Sequence, residues 1–210
     1  MKRFIYKLER IFGKISVENL MLIMLGGTGI FYIAGMFFPE LLPLLNFDRG
    51  LILQGQVWRV FTFIFVYDGG NLIYFLLYAY FYWWIGSSLE SYWGKERFCT
   101  YYYLGILLSI ASGFIAGYTT IMFLNFSLFF AYAMLDPNHQ ILLFFILPIK
   151  IKWIAWVEAA YFLYLLIVYP LPYKLAIIVA FLNFLIFFYD DFFRKLRLLI
   201  MDIKFRMRRK

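Results

Sequence analysis

The apolar residues of this chain fall in long, nearly unbroken runs, not in the alternating or one-faced patterns of a water-soluble fold. A helix needs about 20 apolar residues to cross a bilayer, so these runs read as spans. The first is expected at 17–38, where Gly26, Gly27, Gly29 and Gly35 permit close helix approach. Residues 39–58 mix Pro39, Pro43, Asp48, Arg49 and Gly50 with Leu and Ile, and are expected to form a loop in or on the membrane. Span two is expected at 60–86, followed by a polar linker from Ser87 to Arg97.

Residues 98–135 carry no charge, too long a stretch for one span. A break at Gly117-Tyr118-Thr119-Thr120 divides it into span three at 98–116 and span four at 120–135. Asp136-Pro137-Asn138-His139 reads as a turn. Residues 141–147 are apolar but too short to cross, and end in Pro148, Lys150 and Lys152, so they are expected to skim the membrane. Span five is expected at 153–169, broken by Pro170 and Pro172, and span six at 174–193.

The ends of the chain are basic. Lys2, Arg3, Lys7, Arg10 and Lys14 alternate with Phe4, Ile5, Leu8, Ile11 and Phe12, which predicts an interfacial segment over 1–16. The tail at 194–210 adds a dense set of cations, with enough Leu and Ile to suggest an amphipathic helix on the inner leaflet. The expected organisation is therefore a basic segment (1–16), a six-helix membrane domain (17–193) and a basic tail (194–210). With six spans, every Lys and Arg except Arg49, Arg59 and Lys174 falls on one side. The positive-inside rule makes that side cytoplasmic and places both termini there.

Composition supports this reading. Hydrophobic residues make up 65% of the chain and mean hydropathy is +0.79, against about 45–50% apolar residues in soluble domains. The net charge of +8 does not point to nucleic acid, because the cations cluster where helices leave the membrane; anionic lipid at the basic tail is the expected partner. One cysteine, Cys99, and one histidine, His139, allow neither a disulfide framework nor a thiolate metal site, and no metal or cofactor is expected. The bias toward Phe, Tyr, Ile and Lys is that of an AT-rich genome and points to a bacterial plasma membrane.

Few polar residues stand inside the spans. Asp68 and Glu158 are the intramembrane carboxylates, costly in lipid and so candidates for function. The ordinary alternatives are a helix cap for Asp68 and an ion pair with Lys150 or Lys152 for Glu158. A transport path through the two is a further alternative. Arg59 follows Trp58 at the outer edge, against the charge rule, and needs partners such as backbone carbonyls.

The segment Gly55, Gln56, Trp58, Arg59 resembles the first loop of the rhomboid superfamily. Gly86, Leu89, Glu90, Gly94, Arg97 and Phe98 resemble the series that ends its second span. Residues 137–153 resemble its link into span five. The likeness covers about residues 20–190, and implies an all-α, six-span rhomboid-like bundle. Rhomboid proteases need a Ser in span four as nucleophile, a His in span six as its base, and span-two groups at the oxyanion. Here the corresponding positions read near Met122, Phe181, Tyr74 and Tyr78. Ser112 mimics the nucleophile motif but lies in span three, where small residues at a helix contact explain it. Ser127 lies in the right helix without flanking glycines, and His139 lies on the cytoplasmic side. The resemblance thus implies a pseudoprotease, with some features closer to derlins. Such a protein is expected to bind transmembrane segments of client proteins and to assist their quality control, trafficking or extraction, in part by thinning the bilayer. The alternatives are a protease with atypical residues through Ser127, and a small transporter or channel.

Overall fold

The computed structural model of the chain describes residues 2–67, 69–143 and 147–208. A first helix, α1 (Lys2–Phe12), ends in a 3-10 turn at Gly13–Ile15. It lies against α7 (Lys95–Ala116). Ile5 is buried, the Phe12 ring meets Tyr103 at 6.1 Å, and Glu9 faces Arg97 at 3.7 Å. The apolar side of the basic segment thus packs against the bundle.

Helix α2 (Leu20–Phe37) is the first apolar helix, close to its expected bounds. A side chain at Gly27 would stand 2.6 Å from Phe65, and one at Gly35 2.8 Å from Leu42, so two of its glycines do serve close approach. Three short helices follow: α3 (Leu41–Leu45), α4 (Arg49–Leu53) and α5 (Arg59–Thr62).

The second long helix, α6 (Leu72–Trp93), begins later and ends later than the expected 60–86. Residues 59–65 are spent on α5 and a 3-10 turn, pinned where Thr62 Oγ1 donates to the Leu45 carbonyl at 2.9 Å. Asn71 then starts the helix, its Oδ1 accepting from the backbone N–H of Ile73 and of Tyr74 at 3.1 and 3.3 Å. The stretch expected as a polar linker continues the helix instead, because Leu89 is buried against the bundle. Only Gly94 separates α6 from α7. Its φ of +80° and ψ of 157° lie in a region essentially reserved for glycine.

Helix α7 ends at Gly117, where φ is +92°, at the expected break. Helix α8 (Met122–Leu135) has only 14 residues. The expected membrane-skimming stretch is a β-hairpin, β1 (Gln140–Leu143) paired antiparallel with β2 (Leu147–Lys150), with Gln140 opposite Lys150. Pairing satisfies backbone groups that an apolar surface would leave unmet. Helix α9 (Ile151–Val168) and α10 (Leu171–Arg208) close the fold. The segment expected as a separate tail continues α10 to Arg208, since no Gly or Pro follows Pro172.

Among the described residues, five helices (α2, α6, α7, α9 and the Leu171–Tyr189 part of α10) are long and apolar enough to cross a membrane; α8 is apolar but shorter. The chain is a multi-pass, essentially all-α membrane protein. Helix α7 is central, with 50% of its span buried, and α9 is peripheral, with 17%. Helix α10 packs chiefly on α7 and α8, and α8 also meets α6 and α9. The core is strongly aromatic, including Phe47, Phe63, Phe98, Tyr101, Tyr102 and Phe184.

Candidate functional site

Two arginines organise the loop between α2 and α6. The Arg59 guanidinium is buried: Nη1 donates to the carbonyls of Pro43 and Asn46, each at 2.8 Å, and Nε donates to Gln56 Oε1 at 2.7 Å. Beside it Trp58 Nε1 donates to the Leu44 carbonyl at 3.2 Å. The carbonyl partners expected for Arg59 are therefore the unmet C-terminal groups of α3. Arg49 does the same for α7, its Nη1 donating to the Phe114 carbonyl at 3.0 Å. Both arginines thus serve helix ends.

The residues from Gly86 to Arg97 build the corner between α6 and α7. Glu90 Oε1 accepts from the Asn19 N–H at 2.9 Å, placing a carboxylate at the start of α2. A side chain at Gly86 would stand 2.5 Å from Met21, so glycine sets the distance between α6 and α2. Arg97 lies over Trp93 at 5.5 Å and faces Glu9. An open hollow of about 450 Å³ is lined by Glu9, Trp93, Gly94, Lys95, Glu96 and Arg97. Its two acids offset its two cations.

At the centre of the bundle lies a polar cluster that the sequence reading did not anticipate. Asn125 of α8 accepts at Oδ1 from Tyr102 Oη at 3.0 Å and donates from Nδ2 to Tyr78 Oη at 2.7 Å. Ser127, 1% exposed, donates from Oγ to the Leu124 carbonyl at 2.6 Å and lies 2.7 Å from Tyr101 Oη. Asn183 of α10 donates to the Tyr101 carbonyl at 3.2 Å, while its Oδ1 has no partner among the described residues. The available signal was the amides: Asn125 and Asn183 stand inside uncharged apolar runs, where a side chain of that kind needs partners on other helices.

The other predicted positions are not drawn together. Met122 opens α8 and is 40% exposed; Phe181 lies midway along the apolar part of α10, packed on Phe184 and Phe192. Tyr74 is exposed near the start of α6. Ser112 is buried in α7, its Oγ donating to the Ser109 carbonyl at 2.8 Å. His139 lies beyond the other end of α8, with Nδ1 3.4 Å from Asp136 and its ring 5.2 Å from Trp84. Asp68 lies outside the described residues. Burial, and next the neighbouring Tyr32, push the Tyr67 phenol above its ordinary value, so it stays a neutral donor.

Glu158 departs from its expected ion pair. Lys152 Nζ instead donates to Asn138 Oδ1 at 3.3 Å and lies over the Trp153 ring. Glu158 shares a stripe of α9 with Ile151, Phe162 and Leu165, all buried. Both its oxygens are shielded and have no partner among the described residues. Among the described residues, no three His, Cys, Asp or Glu side chains converge on a metal-sized site. Comparisons with protein-family models, curated proteins and solved structures return no match for this chain.

Proposed function

We propose that this chain is a six-span, rhomboid-like pseudoprotease with both termini cytoplasmic. It binds transmembrane segments of client membrane proteins and assists their quality control, trafficking or extraction without cutting them. The counted spans are the five long helices plus α8.

The observation that carries this reading is the state of Ser127. Its hydroxyl is enclosed and committed to the Leu124 carbonyl and Tyr101. The chain's single histidine lies past Leu135, which is itself about 12 Å along the α8 axis from Ser127. A serine without a base within reach is a weak nucleophile. The same geometry supplies a reason for client handling. Helix α8 is about 21 Å long, from its 14 residues, against a hydrocarbon core of about 30 Å. Short elements thin the adjoining bilayer and ease passage of polar segments. Anionic lipid at the cytoplasmic tail, in a bacterial plasma membrane, completes the proposal.

The test is a cleavage assay in proteoliposomes with a fluorescent transmembrane substrate, beside fluorophosphonate labelling of wild type, Ser112→Ala and Ser127→Ala. Absence of turnover and of serine-dependent label is expected. Turnover lost in Ser127→Ala would overturn the proposal in favour of an atypical protease.

A further inference from the structure

Helix α1 has two unlike sides. Towards the bundle it turns Ile5, Phe12 and its single acid, Glu9, which faces Arg97. Away from the bundle stand Lys7, Arg10 and, one turn on, Lys14 of the 3-10 turn, all exposed. Among the described residues, none of these three cations makes a hydrogen bond or an ion pair. Ile11 and Ile15, four residues apart, are exposed beside them.

The contacts of α1 set its depth. The first turn of α7 carries Lys95, Glu96 and Arg97, and the chain is then uncharged as far as Leu135, so the edge of the apolar layer falls at that turn. Glu9 meets this turn at Arg97. Phe12 meets the Tyr103 ring, and Tyr103 Oη donates to the Ile15 carbonyl at 3.3 Å. Tyr103 is about 9 Å further along α7 than Arg97. The end of α1 and its 3-10 turn therefore reach into the apolar layer, where the exposed Ile11 and Ile15 meet lipid. Lys7, Arg10 and Lys14 border them, on stems long enough to return their charges to the headgroups. A soluble acidic partner would have to displace lipid to reach this face. A second copy paired face to face would set like charges against each other. Acidic headgroups are the occupant that fits both the charge and the depth.

We propose that the outward face of α1 is a binding surface for acidic phospholipid, with Lys7, Arg10 and Lys14 on the headgroup anions and Ile11 and Ile15 at the acyl boundary. This surface is separate from the basic end of α10, and the inference does not rest on client binding.

The experiment reads lipid next to α1 in the full chain. Tyr6, exposed at the edge of the same face, is changed by Tyr6→Cys and carries a donor dye; Cys99 is buried and stays unlabelled. The protein is placed in phosphatidylcholine nanodiscs with a small share of phosphatidylglycerol or phosphatidylcholine bearing an acceptor on an acyl chain. Energy transfer is expected to show the acidic lipid enriched about fivefold over the neutral one, the effect of a single cation near an acidic surface. The enrichment should vanish at about 1 M salt, where charges are screened within about 3 Å. Lys7→Gln, Arg10→Gln and Lys14→Gln together should abolish it, while Lys204→Gln, Arg206→Gln and Arg208→Gln together should leave it. Equal transfer to the two lipids in the labelled protein overturns the inference. So does an enrichment that survives the α1 substitutions, or one lost with those in α10. Any of these results leaves the client-binding reading standing. The lipid and salt comparisons use one protein, so they decide the matter even if a variant folds poorly.

Discussion

The side-chain amide of Asn125 donates to the Tyr78 hydroxyl at 2.7 Å and ties the middle of α8 to α6. The same amide accepts from Tyr102 of α7 at 3.0 Å, so one residue joins three helices. Hydrogen bonds between membrane helices contribute about 0.6 kcal/mol on average and up to about 1.7. Tyr78→Phe is expected to cost an amount in that range. Asn125→Leu should cost more, because two phenols lose a partner together. Cys99, the only cysteine and fully buried, provides the measurement: its alkylation by a maleimide dye on heating reports unfolding. If Asn125→Leu melts at the wild-type temperature, the cluster is not holding the helices.

Arg59 gives a sharper case. Its fork meets two carbonyls and the Gln56 side chain at once, a geometry that lysine cannot reproduce. Arg59→Lys is expected to destabilise by about 2–3 kcal/mol, as for a charged group whose partners are left unmet. The loop at 39–58 should become sensitive to protease added on its own side. Arg49→Lys should be milder, because that side chain is exposed.

These two sites differ in how visible they were beforehand. Arg59 was expected on the side where the charge rule disfavours cations, and that expectation alone called for carbonyl partners. The apolar runs likewise revealed every long helix, because hydropathy is local. Boundaries were harder. Thr62 pulled residues 59–65 into the loop, and buried Leu89 kept a polar-looking stretch helical; both depend on packing partners distant in sequence. The Asn125 cluster stayed hidden because its members come from four helices. Glu158 was singled out, but given a partner by sequence proximity. Lys152 lies six residues before it, on another side of the helix.

Two glycines should respond with opposite sign. Gly94 turns the chain between α6 and α7 at a φ of +80°, and Gly94→Ala is expected to cost about 1–3 kcal/mol. Gly26 sits inside α2 with nothing within 4 Å of an added methyl. Gly26→Ala should stabilise by about 0.5–1 kcal/mol through helix propensity. Melting by Cys99 alkylation separates the two, and equal shifts would show that backbone conformation at Gly94 is not what constrains the corner.

Bilayer thickness offers a test of the client-handling proposal that needs no substitution. Helices α2 and α9, of 18 residues each, are about 27 Å long, and α8 about 21 Å. A bilayer with a 30 Å core must thin around α8 or the helix must be drawn out of register, at fractions of a kcal/mol per Å. The melting temperature should therefore be highest in thin, short-chain bilayers and fall as acyl chains lengthen. Spin-labelled lipids beside the protein in thick bilayers should report disorder greater than in protein-free bilayers. A protein equally stable at every thickness, with undisturbed lipid around it, would remove mismatch at α8 as the source of thinning.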